Sequence, residues 1–222
     1  MSGAHRAVTL PPARGDRRPL WRALAIAAVA FALASLADKA VFDAVHDPKV
    51  YERDWGRLLR IMGFQGTWLA LALALGLHDA GARPPLARPR RRAWLLFLAP
   101  GLAGLAAEVL KVVFRRERPA LHDGLYGFRD WSDRTWSGGG LALPSSHAAV
   151  AFGGAAMLAI LFPRTRWVGW TLAAGCALTR LMARAHFASD VVMGAFLGWL
   201  AAWWLARRSE ERVGRATGEG EG

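Results

Sequence analysis

Cysteine is almost absent from this sequence. The single copy, Cys176, lies inside an apolar run, which excludes an intrachain disulfide and any fold stapled by such bonds. With one cysteine and scattered histidines there is no Cys/His cluster spaced for zinc. Acidic residues are scarce relative to basic ones: 17 Asp and Glu stand against 29 Lys and Arg, for a net charge of +12. In a soluble protein that excess would point to nucleic acid. Here the basic residues gather beside apolar runs, so membrane topology explains them better and no nucleic-acid partner is expected. Apolar residues are not scarce. They make up 54% of the chain, and they and the 21% charged residues are segregated into blocks, the pattern of membrane spans joined by polar loops. A chain of 222 residues fits one domain.

Taken in order, residues 1–22 form a polar tail with Pro11, Pro12, Pro19 and five arginines. The first apolar run covers 23–37; a basic stretch before a short apolar one also fits a cleaved signal, the rival reading of the same residues. A mixed-charge segment, 38–57, carries Tyr51 and Trp55, residues suited to an interface. Further spans are expected at 58–77, 93–114 (with Pro100 as a kink), 145–162, 167–184 and 190–206. Gly194 and Gly198 in the last span suit close helix packing. The connection 115–143 is long and rich in Gly, Trp and Asp, as functional or unstructured loops are. Residues 207–222 read as a charged, unstructured tail. The expected fold is therefore all-α, a polytopic membrane protein with six transmembrane helices over 23–206, flanked by cytoplasmic tails at 1–22 and 207–222.

Charge sets the orientation. The segments on the N-terminal side hold sixteen Lys and Arg against six acids, whereas those on the opposite side hold eleven against ten. The positive-inside rule then makes the N-terminal side cytoplasmic, with both termini there. Three polar patches consequently converge at the outer face: Lys111 through Arg118-Pro119, Pro144-Ser145-Ser146-His147, and Thr179-Arg180 with His186 and Asp190.

These patches have a chemical logic. Ser145 and Ser146 follow a proline and open a helix, whose first amides favour an anion. Lys111, Arg118 and Arg180 supply cationic donors suited to phosphate oxygens. In such a cradle a neutral imidazole can attack phosphorus while a second, protonated one donates to the leaving oxygen. On a helix His186 and Asp190 are four apart and share a face.

In order and spacing the three patches resemble the signature of the type 2 phosphatidic acid phosphatase superfamily, which also holds the vanadium haloperoxidases. Its pattern of Lys-x6-Arg-Pro, Pro-Ser-Gly-His and Ser-Arg-x5-His-x3-Asp is matched at Lys111 to Pro119, Pro144 to His147 and Thr179 to Asp190. Ser146 replaces the usual Gly and Thr179 the usual Ser, and neither change removes a catalytic group.

The resemblance implies a haloperoxidase-like helical bundle in the cell membrane with its site at the periplasmic or outer face. It implies His186 as the nucleophile that becomes phosphohistidine, Asp190 as its orienting partner, and His147 as acid and then base. Lys111, Arg118, Arg180, Ser145 and the Ser146 amide would hold the phosphate. It implies no metal and no cofactor. The substrate would be a lipid phosphate monoester or pyrophosphate: undecaprenyl pyrophosphate, phosphatidic acid, phosphatidylglycerol phosphate or a lipid A phosphate. The alternatives are a haloperoxidase-like oxidase, against which six apolar spans argue, and a non-catalytic lipid-binding or transport protein, for which a catalytic residue should be missing. Arg115, Arg116 and Arg184 read as solvated charges near the membrane surface, Glu108 as a partner of Lys111, and His5, His46 and His78 as bystanders.

Overall fold

The computed structural model describes residues 18–81 and 89–218, so most of the tail at 1–22, part of the basic loop and the last four residues lie outside it. Among the described residues there are seven α-helices: α1 (Arg18–Ala44), α2 (Asp54–Ile61), α3 (Gln65–Ala80), α4 (Pro89–Phe114), α5 (Ser146–Leu161), α6 (Arg166–Met182) and α7 (Ala188–Gly218). Among the described residues there is no strand, only isolated bridges at Arg116–Phe128 and Glu117–Leu141 within the 115–143 loop.

The centre is α5, which packs against α4, α6 and α7. Its sequence, SHAAVAFGGAAMLAIL, is apolar on every side, as a helix surrounded by other helices must be. Small residues let the neighbours approach. A methyl group on Gly194 would lie 2.4 Å from the Ser145 carbonyl oxygen, and one on Gly198 would lie 2.5 Å from the Gly153 amide nitrogen. The paired glycines of the last span thus bring α7 backbone-to-backbone onto α5. Trp68, Leu95, Leu96, Ala99, Val150, Met157 and Ala202 fill the core on the other side. At the periphery Ile26, Leu33 and Leu36 of α1 and Leu77 of α3 are exposed, an arrangement that fits lipid as the surrounding medium.

Among the described residues three helical stretches are long and apolar enough to cross a membrane: Leu20–Ala44, Arg90–Phe114 and Ala188–Glu210. The stretch expected as one span at 58–77 is instead broken at 62–64, where α2 and α3 meet at a 70° bend; counted together they make a fourth. The helices α5 and α6, of 16 and 17 residues, are shorter than these. Two boundaries also differ from the sequence reading. The first helix continues through Ala44, past the charged residues that seemed to end it, and α7 continues to Gly218, so 207–218 is helical rather than unstructured. Pro100 lies within a continuous α4.

The 115–143 loop is held by arginine side chains bonded to its own carbonyls. Arg115 closes α4 in the left-handed region (φ 56°) and sends its guanidinium into the loop. It donates to the carbonyls of Arg129 (3.1 Å), Asp133 (2.5 Å), Thr135 (3.3 Å) and Asp130. Arg129 does the same to Ser137 (3.1 Å) and Gly139 (2.5 Å). Arg115 is buried, contrary to its reading as a solvated charge.

Candidate active site

Each patch is delivered by a helix end. Lys111 stands in the last turn of α4, where its ammonium donates to Glu108 Oε1 (2.7 Å) and to Ser146 Oγ (2.8 Å), tying the first patch to the second. Ser145 is the N-cap of α5: its hydroxyl oxygen accepts from the Ala148 amide at 3.4 Å. Its own amide donates to the Asp190 carbonyl (3.0 Å), which leaves only the hydroxyl proton free for a ligand. The amides of Ser146 and His147 open the helix and have no preceding turn to bond. Arg180 sits in the last turn of α6, His186 in the link that follows, and Asp190 in the first turn of α7.

The second and third patches meet at a buried dyad. His186 Nδ1 lies 3.6 Å from Asp190 Oδ2, just beyond hydrogen-bond distance, and has no other partner. Burial pushes the imidazole down to about 4; the charges of Arg180 and Lys111 add to this and Asp190 opposes it. His186 is therefore neutral at pH 7. Near it, His147 lies in the field of Arg180, Arg60 and Lys111. The elbow between α2 and α3 presses on His147 from outside: a methyl group on Gly63 would come within 2.7 Å of its Cβ.

The charged donors around the dyad are incompletely used. Among the described residues, the buried Nε atoms of Arg116, Arg118, Arg180 and Arg184 have no hydrogen-bond partner. A buried N–H without an acceptor is costly unless something supplies one. Arg118 and Arg180 belong to the patches expected to hold phosphate, and their fields reach Lys111. Such a set of donors accommodates a compact polyanion beside a neutral imidazole.

Several contacts were not legible from the motifs. Arg116 is buried and binds Asp190 Oδ1 as well as Ser189 Oγ (2.7 Å), so it is part of the dyad's support and not a solvated charge. Tyr51, which reads as an interface anchor, accepts from Arg180 Nη1 (2.7 Å) and lies 3.1 Å from the Thr179 carbonyl. Arg60 of α2 stacks on the same ring, 4.6 Å from its centroid. Arg184 is half-buried and stacks on Phe42 of α1 at 4.2 Å. His122 bonds Glu117 Oε2 at 2.8 Å. Arg116 and Arg184 fall at unspecified positions inside the motifs, and Tyr51, Arg60 and His122 lie outside them, so the patterns marked none of them. Among the described residues no three His, Cys, Asp or Glu side chains gather as a metal site requires.

Known proteins resemble this chain in sequence and in fold. The sequence profile of the PAP2 superfamily matches residues 92–213. The lipid A 1-phosphatase of Rhizobium etli is 30% identical over 205 residues, covering 86% of this chain and 84% of that protein. The lipid A 4'-phosphatase of Bacteroides thetaiotaomicron is 39% identical over 71 residues, 30% of each chain. Among solved structures, the transmembrane PAP2-type phosphatidylglycerolphosphate phosphatase of Bacillus subtilis has the same fold. Its TM-score is 0.61 at 19% identity, over 89% of this chain and 98% of that one. A profile spanning more than half the chain and a relative alike along most of its length agree on the ancestry to which the three patches pointed: this chain belongs to the PAP2 superfamily and is a membrane phosphatase.

Proposed function

We propose that this protein hydrolyses the phosphate of a membrane lipid through a phosphohistidine, without a metal ion. The observation that carries the proposal is the neutral, buried His186 in the field of Arg180 and Lys111, with the Nε atoms of Arg118 and Arg180 lacking acceptors. His186 Nδ1 faces Asp190, so Nε2 is the attacking nitrogen. It forms a bond to phosphorus as the bond from phosphorus to the lipid oxygen breaks, and His147 gives the departing oxygen its proton. His147 then takes a proton from water, which attacks the phosphohistidine and releases inorganic phosphate. Asp190 holds the imidazole and balances the charge it gains. Lys111, Arg118, Arg180, the Ser145 hydroxyl and the Ser146 amide hold the phosphate oxygens, whose charge grows in the transition state.

The remaining features of the proposal concern the membrane. Six helical segments cross it, α2 with α3 counting as one, both termini are cytoplasmic, and the site opens at the periplasmic face. There the lipid tail stays in hydrocarbon while the headgroup enters the cradle. Lipid A phosphates come first among the candidate substrates, because the relatives matched by sequence carry that name. Undecaprenyl pyrophosphate, phosphatidic acid and phosphatidylglycerol phosphate follow.

The test is a phosphate-release panel of these lipids with purified protein in detergent, EDTA present. Release from at least one lipid is expected, with loss of at least about 10³-fold in His186→Ala at unchanged melting temperature. Acid-labile 32P on the wild-type protein, absent from His186→Ala, identifies the intermediate. Full activity of His186→Ala overturns the mechanism, and activity only with added divalent metal overturns the metal-free reading.

A further inference from the structure

A carboxylate on a membrane-length apolar helix needs a reason to be there. Asp38 of α1 is one. It is 2% exposed and sits within the Leu20–Ala44 stretch, outside the residues matched by the superfamily profile. Its partners are neutral donors. Oδ1 accepts from the Ser189 amide (2.9 Å), and Oδ2 accepts from the Ser189 hydroxyl (2.5 Å) and from Tyr126 OH (2.8 Å).

Those bonds have a direction. Because the Ser189 proton goes to Asp38, the Ser189 oxygen is left to accept, and Arg116 Nη2 donates to it at 2.7 Å. The same Arg116 nitrogen donates to Asp190 Oδ1. Asp190 keeps Oδ2 for the Phe187 amide (2.7 Å) and for the His186 side. The Arg116 guanidinium is also clamped between the rings of Tyr126 (5.0 Å) and Phe187 (5.2 Å), which meet edge to face at 5.0 Å. Asp38 thus touches Ser189 and Tyr126, and each of them touches Arg116.

We infer that Asp38 is a positioning residue for the reaction: it sets the Ser189 hydroxyl as an acceptor, so that Arg116 is held on Asp190 and Asp190 in turn on His186. The inference rests on the proposed role of His186 and Asp190. It makes α1 part of the catalytic apparatus rather than only a membrane anchor. In Asp38→Asn the shape survives, but an NH2 group replaces Oδ2 and points at two hydroxyls. The Ser189 proton loses its acceptor, and the order of donors along the chain is broken.

The experiment uses full-length protein in detergent with whichever lipid phosphate the wild type hydrolyses. Asp38→Asn is expected to lower kcat by roughly 10- to 100-fold, with KM and inhibition by orthovanadate changed by less than about threefold. Ser189→Ala should lose a similar factor, and the double variant little more than either single, since both cut the same relay. Asp43→Asn removes an equal charge from an exposed site on α1 and should keep wild-type kinetics. A kcat for Asp38→Asn within about twofold of wild type overturns the inference. So do losses that multiply in the double variant, or a loss that only tracks the fraction of folded protein. Ring 15N signals of His186 give a readout without turnover: Asp38→Asn should shift them and Asp43→Asn should not. If the wild type releases phosphate from no lipid, the functional reading falls while the spectrum still decides the relay, and an unmoved His186 signal overturns it.

Discussion

Two carboxylates with fully buried side chains, Asp79 and Asp190, each pair with an arginine, yet they lead different lives. Asp79, at the end of α3, takes Arg92 of α4 on both oxygens, Nε at 2.8 Å and Nη2 closer, with His78 at 3.3 Å. Its needs are met, and the result is a clasp between two helices. Asp190 divides itself between Arg116 and the Phe187 amide, and leaves His186 3.6 Å away with no partner on Nδ1. Around it the Nε atoms of Arg118 and Arg180 are also unanswered. Both regions bury charge in a membrane protein; only one leaves it incomplete. The incompleteness, rather than the charge, separates a site from a brace.

The strongest way to break this comparison is Arg118→Ala. If the free donors await phosphate, kcat/KM should fall by about 10²- to 10³-fold, while the melting temperature holds or rises because a cation leaves a cluster of cations. A stability loss with unchanged kcat/KM would make Arg118 a brace as well. Next comes Asp79→Ala, expected to do the reverse. It strands Arg92 and should cost roughly 2 kcal/mol, less than for a wholly buried pair because Arg92 is 35% exposed. The kcat per folded molecule should stay within about twofold, so a kinetic defect would erase the distinction.

Per pH unit, the effect of acid is the smallest of the three. The His186 imidazole ordinarily titrates at 6.5 and burial brings it to about 4 in the folded protein. Between these values the unfolded chain binds the proton and the folded one does not, so stability falls as pH drops through that window. Relative to His186→Gln, the wild type should lose at most about 1.4 kcal/mol per pH unit between 6.5 and 4, read as diverging melting temperatures. Parallel curves would mean that His186 is not held neutral by its surroundings.

How much of this could be read from the chain follows from sequence distance. Lys111, Arg118, His147, Arg180, His186 and Asp190 belong to short patterns with fixed internal spacing, and the helices that carry them are apolar runs visible to the eye. Tyr51 was not legible as a partner of Arg180, nor Arg116 as a partner of Asp190, because 129 and 74 residues separate them. Asp38 was misplaced for a sharper reason. A charge at the end of an apolar run reads as the start of a loop, and nothing local reveals that Ser189, 151 residues away, supplies its donors. The break at 62–64 left a faint trace in Gly63, whose missing side chain gives His147 its room.

The glycine contacts between α5 and α7 carry a lesson for redesign. Where main chain rests on main chain, the separation of the two helices has no adjustable part. The spacing between the Ser145 cap and the Asp190 turn is therefore a manufactured dimension, like the gap of a gauge, and no rotamer can retune it. Anyone seeking a new headgroup preference should leave that seam untouched and edit the arginine-bound 115–143 loop and the α2 elbow instead. There, side chains set the clearances and a single exchange can alter them.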